Sequence, residues 1–219
     1  ALRRWIDDQP GATWKSSKGP KGEELDFTLV DSDGQQVRWL MRPLVQVKAN
    51  GVATEPDFLL TRQDAQDHPV AVYLDGKAYH ADPAANITAD DAHKRHALRN
   101  DDYRVWSLTW ADIDDFEAVL DNKQSTTTPL LQADLRKKVD GQLQREASIC
   151  FNNPVQHLAA YLRAPQSPFW VDSARAVALV LVRSMQGSPV RVAPADLREG
   201  LIALLSEGTV VDRADGSRM

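Results

Sequence analysis

A single cysteine, Cys150, stands among the 219 residues. It has no partner for an internal disulfide. With only 5 histidines, none at a recognised ligand spacing, it also builds no zinc site. Such usage suits a reducing compartment, and the cytoplasm is the expected location. Excess positive charge is also missing: 26 Lys and Arg against 31 Asp and Glu leave a formal charge of −5. A protein coated in basic residues is excluded, and any contact with nucleic acid must come from a local patch. No run of apolar residues is long enough for a membrane. The most hydrophobic stretch, "ARAVALVLV" at 174–182, contains Arg175 and is followed by Arg183; a span needs roughly 20 residues. There is no G-x-x-x-x-G-K-[ST] phosphate loop, so a nucleotide-driven motor is not encoded here. Internal repeats and low-complexity tracts are absent as well.

What is present is a globular composition, 42% hydrophobic, enough for one large domain or two small ones. The chain starts without methionine, inside a helical pattern in which Leu2, Trp5 and Ile6 share a face, which suggests a piece of a longer polypeptide. A polar connector is expected over 14–24, then a β-hairpin over 25–48 around "DSDG", and a loop at "NGVATEP" (50–56). "DFLL" (57–60) and "VAVYLD" (70–75) read as paired strands, 87–100 as a helix, 102–110 as a strand and 111–122 as a helix. The polar stretch "KQSTTTP" (123–129) marks a boundary between residues 1–122 and a helical region, 123–219. In the helical region Pro154 and Pro194 sit near helix starts, and Gly187 and Gly208 near ends. The expected fold class is α/β: a mixed sheet flanked by helices, followed by a smaller all-α region.

Two acids stand where chemistry is plausible. Asp57 opens one of the paired strands and Asp75 closes the other, so antiparallel pairing brings the start of the first beside the end of the second. Hard carboxylate oxygens so placed can share a divalent cation, the requirement for metal-assisted cleavage of a phosphodiester. Strand alternation puts Tyr73, Asp75 and Lys77 on one side if the chain stays extended through Gly76, which brings the Lys77 ammonium to a water or phosphate at the site. If Gly76 bends the chain, Lys77 and His80 are presented from a turn. The plainer alternative is that both acids merely flank a loop. Lys94, Arg95 and Arg99 line a helix after the site: a solvated face by default, a backbone clamp beside a phosphate-binding edge.

Taken in order, "MRPLVQVKANGVATEPDFLL", "PVAVYLDGKAYH" and "DDAHKRHALRNDDYRVWSLTWADI" resemble the PD-(D/E)xK nuclease superfamily. Within it they look most like the very-short-patch-repair (Vsr) endonucleases and related restriction-endonuclease-like domains of large bacterial helicase-like proteins. The likeness covers about a third of the chain and rests on the ordered set of motifs. It implies a restriction-endonuclease-like sheet, Mg2+ as cofactor, DNA as partner, and a larger parent polypeptide carrying a helicase motor, in antiviral defence or DNA repair. It assigns Asp57 and Asp75 to the metal, His80 to proton handling, and Tyr73 and Tyr79 to positions where Vsr enzymes carry aromatics that wedge between base pairs. The chain departs from the pattern in three ways. Tyr73 stands where many related domains have a glutamate, the family's first-helix glutamate has no match after Ala1, and the Vsr zinc cysteines have no counterpart.

Three functions follow as expectations. The first is Mg-dependent phosphodiester hydrolysis by Asp57, Asp75, Lys77 and His80, with Lys94 and Arg95 seating the backbone. The second keeps the fold without the chemistry, as a DNA-binding or docking domain, and Tyr73 in the glutamate position favours it. The third is a protein-interaction scaffold, favoured by the acidic balance.

Overall fold

The computed structural model describes residues 1–75, 87–123, 153–171 and 174. Up to Pro165 these residues form one compact unit, and those from Gln166 belong to a second. Lys77, Tyr79 and His80, expected at the site, and most of the expected C-terminal helices lie outside the described residues.

The first unit begins with α1 (Leu2–Asp7), whose Trp5 and Ile6 are buried as the shared face predicts. Strands β1 (Thr13–Gly19), β2 (Gly22–Val30) and β3 (Gln36–Pro43) follow as an antiparallel meander. The expected connector at 14–24 is therefore largely strand. Its side chains are almost all exposed on both faces, which removes the apolar alternation that marks a half-buried strand. In β2 the alternation is clear, with Leu25, Phe27 and Leu29 buried. The "DSDG" turn forms as expected. Asp31 Oδ1 accepts from the backbone N–H of Asp33 and Gln35 at 2.9 and 2.8 Å, and Gly34 takes a φ of +79° that favours glycine.

A second difference lies in the stretch read as a loop. Strands β4 (Val47–Ala49) and β5 (Val52–Thr54) form a small hairpin closed by Asn50 and Gly51. Both have positive φ, +49° and +82°, the requirement of a two-residue primed turn. β6 (Phe58–Arg62) then pairs antiparallel with β3 and, as read from the sequence, with β7 (Val70–Asp75). α2 (Ile87–Arg99) precedes β8 (Arg104–Thr109), which runs parallel to β7. The six-stranded mixed sheet has the order β1-β2-β3-β6-β7-β8.

α3 (Trp110–Leu120) starts at a capping box in which the Thr109 hydroxyl accepts from the Asp112 N–H and the Asp112 carboxylate accepts from Thr109 N–H. α4 (Pro154–Arg163) lies beyond the expected boundary at 122/123, yet it belongs to the sheet unit and packs on β2, β3, β8 and α3. Its cap, the fully buried Asn153, accepts from Val155 N–H at 2.7 Å. The same amide donates to Asp112 O at 2.9 Å and Asp115 Oδ2 at 3.1 Å, tying α4 to α3. Trp39, wholly buried, donates from Nε1 to Leu162 O at 2.8 Å.

The sheet's two faces receive different cover. Leu60, Val72 and Leu108 point toward α1, α3 and α4 and line a purely apolar cavity of about 230 Å³ with Met41, Leu158 and Leu162. Leu59 and Ala71 point the other way and pack with Ala49 and with Leu98 of α2. In the second unit, the rings of Phe169 and Trp170 meet edge to face with centroids 5.1 Å apart. No helix among the described residues is long and apolar enough to cross a membrane.

Candidate phosphate-binding rim

The β6–β7 ladder has its last pair at Phe58 and Val72. One step further along the same register, Asp57 stands opposite Tyr73, with Asp75 two residues on and on the same face by strand alternation. The strand start and strand end thus meet at one rim, as the antiparallel reading requires.

Asp57 continues the ladder with its side chain. Its Oδ2 accepts from Leu74 N–H at 2.7 Å, while its carbonyl accepts from Leu44 N–H at 3.1 Å. No other hydrogen bond reaches that carboxylate from the described residues. Asp75 is held differently. Arg95, from the middle of α2, places Nη2 2.5 Å from Oδ1 and Nη1 3.2 Å from Oδ2, a two-point guanidinium–carboxylate grip. The pair is partly buried, with side-chain exposures of 18% for Arg95 and 26% for Asp75, so the contact is shielded from the screening that weakens surface pairs.

Tyr73 forms the floor beneath that grip. The Arg95 guanidinium carbon lies 4.9 Å from the Tyr73 ring centroid, in cation–π range, and the Tyr73 hydroxyl shares a 2.8 Å hydrogen bond with Thr54 Oγ1 of β5. Burial pushes the Tyr73 phenol above its ordinary pKa; the Thr54 bond and the Arg95 charge pull the other way. Here the hairpin missed by the sequence reading contributes directly: β5 supplies Thr54, which fixes Tyr73, which supports Arg95. The Asn-Gly pair at 50–51 was the available signal for it.

The three basic residues expected on one helix face separate. Arg95 turns inward to Asp75. Lys94 pairs with Asp90 one turn back at 2.5 Å, and that partner raises its pKa. Arg99 is exposed. Tyr73, expected as a base-wedging aromatic, is engaged with Thr54 and Arg95.

A divalent ion of the Mg2+ type needs several hard oxygen donors and a net negative site. The donor set described here does not fit one. Both Asp75 oxygens face a guanidinium whose charge already balances theirs, and one Asp57 oxygen is committed to the ladder. Among the described residues no group of three or more His, Cys, Asp or Glu is placed to hold a metal. What the arrangement offers an anion is the exposed Arg99 on the same helix, while Arg95 and Lys94 are each already paired with a carboxylate.

No family model matches this chain, and neither a curated protein nor a solved structure does.

Proposed function

We propose that this chain is a DNA-processing module with a Vsr-like nuclease fold that seats a phosphodiester backbone at the rim formed by β6, β7 and α2, within a larger helicase-type protein of DNA defence or repair. The observation that carries the reading is the convergence of Asp57, Tyr73, Asp75 and Arg95 on one rim with two further cations on the adjoining helix. It matches the ordered motifs that resemble the nuclease superfamily, and Tyr73 in the glutamate position agrees with binding rather than cutting as the rim's task. The parent and its motor rest on the resemblance alone.

Fluorescence anisotropy of a labelled duplex in EDTA tests it. Affinity is expected to fall steeply with added salt, and replacing Lys94 and Arg99 by Ala together is expected to lower the slope of log K against log salt by roughly 2. Binding that is absent, or indifferent to salt, removes the reading and leaves a protein-interaction scaffold.

A second reading, Mg-dependent hydrolysis, takes Asp57 and Asp75 at one rim as its starting point and requires further oxygen donors from outside the described residues to complete a metal site. Its check is nicking of plasmid DNA by the full-length protein across Mg2+ and Mn2+. Asp57→Ala is expected to abolish cleavage while leaving DNA binding in place, and absence of cleavage with either metal defeats it.

A further inference from the structure

We propose that Arg42 is a phosphate contact at the strand-end rim that holds Asp57: its guanidinium has no carboxylate partner in the folded chain and takes an anion from outside. The assignment to phosphate stands on Arg42 itself, and its nucleic-acid form rests on the duplex-binding reading above.

Strand pairing places the residue. Arg42 of β3 stands opposite Leu59 of β6, which packs on the α2 side of the sheet with Ala49, Ala71 and Leu98. Asp57, two residues before Leu59, faces the same side by alternation and is the diagonal neighbour of Arg42, about 7–8 Å away by sheet geometry. The bond from Leu44 N–H to Asp57 O at 3.1 Å carries the β3–β6 pairing to that end, so Arg42 shares both face and rim with the acid. Three carboxylates stand on this face of β2 and β6, and each is turned elsewhere. Asp26 holds Arg38 and Lys15, the Glu24 side chain lies across Gly19 of β1, and Asp57 accepts from Leu74 N–H. Among the described residues no hydrogen bond or ion pair holds the Arg42 side chain, and its Nε is shut off from water without a partner. Arg95 has an unpartnered Nε too, but both its Nη groups grip Asp75. Arg42 as a whole is half-buried, which leaves the outer edge of the guanidinium at the surface. A buried N–H without an acceptor is destabilising, and an apolar side chain would cover Leu59 without that penalty. The guanidinium fork matches two oxygens of a phosphate. A seated phosphate draws the group outward on its flexible stem, and Nε–H and one Nη–H each find an oxygen.

Two measurements on the full chain test this. In the first, the arginine Nε–H signals are followed by proton–nitrogen NMR while inorganic phosphate is added against chloride at constant ionic strength. The Arg42 signal, identified by its loss in Arg42→Met, is expected to move with phosphate and to stay in place with chloride. In the second, duplex anisotropy in EDTA compares the unaltered chain with Arg42→Met, which keeps an apolar stem. The variant is expected to bind about tenfold more weakly, with the slope of log K against log salt lower by roughly 1. Its urea midpoint should hold or rise, since the orphaned donor is gone; a residue kept for packing would lower it. Should Arg42→Met fail to fold, Arg42→Lys removes the same NMR signal, and it is expected to keep the slope while losing affinity. A phosphate response without any duplex binding removes the DNA reading and assigns the site to free phosphate. A lower slope without a phosphate response assigns it to the nucleic-acid backbone. An unmoved Nε–H signal together with an unchanged slope in Arg42→Met overturns the proposal and leaves the DNA reading standing.

Discussion

On the face of the sheet covered by α4, Trp39 is wholly buried against Tyr161, ring centroids 6.5 Å apart, and Trp106 packs on Tyr161 at 5.2 Å and His157 at 5.5 Å. On the face covered by α2, an aromatic ring again sits at the centre, but Tyr73 lies under a guanidinium, beside a carboxylate, with its hydroxyl bonded to a threonine. The aromatic bulk is comparable and the surroundings are not. Beside Trp106, burial pushes the His157 imidazole below its ordinary pKa. Around Tyr73, charges are admitted in a matched pair. A partly buried matched pair contributes little net stability over an apolar filling, so this cluster is not where the fold's stability is to be sought. The α4 face is the more aromatic of the two, although it too holds a charged pair, Arg62 with Asp67, on the strand position opposite Trp39.

That division can be broken most directly at Trp39. Trp39→Ala removes the largest wholly buried side chain among the described residues and the donor to Leu162 O at 2.8 Å. A loss of about 3–5 kcal/mol is expected for an aromatic truncated in a core, read as a lower urea midpoint. The helix α4 should loosen with it, because the Trp39 bond acts together with Arg163 Nε to Val30 O at 3.0 Å and the Asn153 bonds to α3 in tying the helix down. If Trp39→Ala costs less than about 1 kcal/mol, the apolar face is not the main source of stability.

The two faces also differ in how well the sequence announces them. Leu25, Phe27 and Leu29 alternate, and "VAVYLD" gives the bounds of β7 as found, because a strand half in water must alternate or run apolar. Asp57 and Asp75 could be brought together on paper for the same reason: antiparallel pairing of two strands leaves only one rim for them. What stayed hidden depends on contacts between residues distant in sequence. Nothing local marks Thr13–Gly19 as a strand, since its partner β2, not its own pattern, makes it one. The membership of α4 in the sheet unit rests on Asn153 meeting Asp112 and Asp115, across about forty residues. The inward turn of Arg95 was equally hidden. "HKRH" reads as a basic surface whichever cation faces the sheet, and only the position of Asp75 selects Arg95 over Lys94.

Tyr73→Phe gives the finer contrast, a change on the polar face as small as Trp39→Ala is large on the other. It deletes one oxygen and its 2.8 Å bond to Thr54 while leaving a ring under Arg95. The net worth of such a bond is about 0.5–1.5 kcal/mol, because the unfolded hydroxyl is satisfied by water. Thr54 is itself buried, so some of that cost is the desolvated threonine oxygen left behind, and the double variant with Thr54→Val should recover part of it. Stability is one readout and salt-dependent duplex binding is the other. A ring stays under Arg95 in Tyr73→Phe, so binding is expected to be unchanged while the urea midpoint falls. A loss of binding that Thr54→Val reproduces on its own shows instead that the Thr54 bond aims the ring, and extends the rim through Tyr73 to the β4–β5 hairpin.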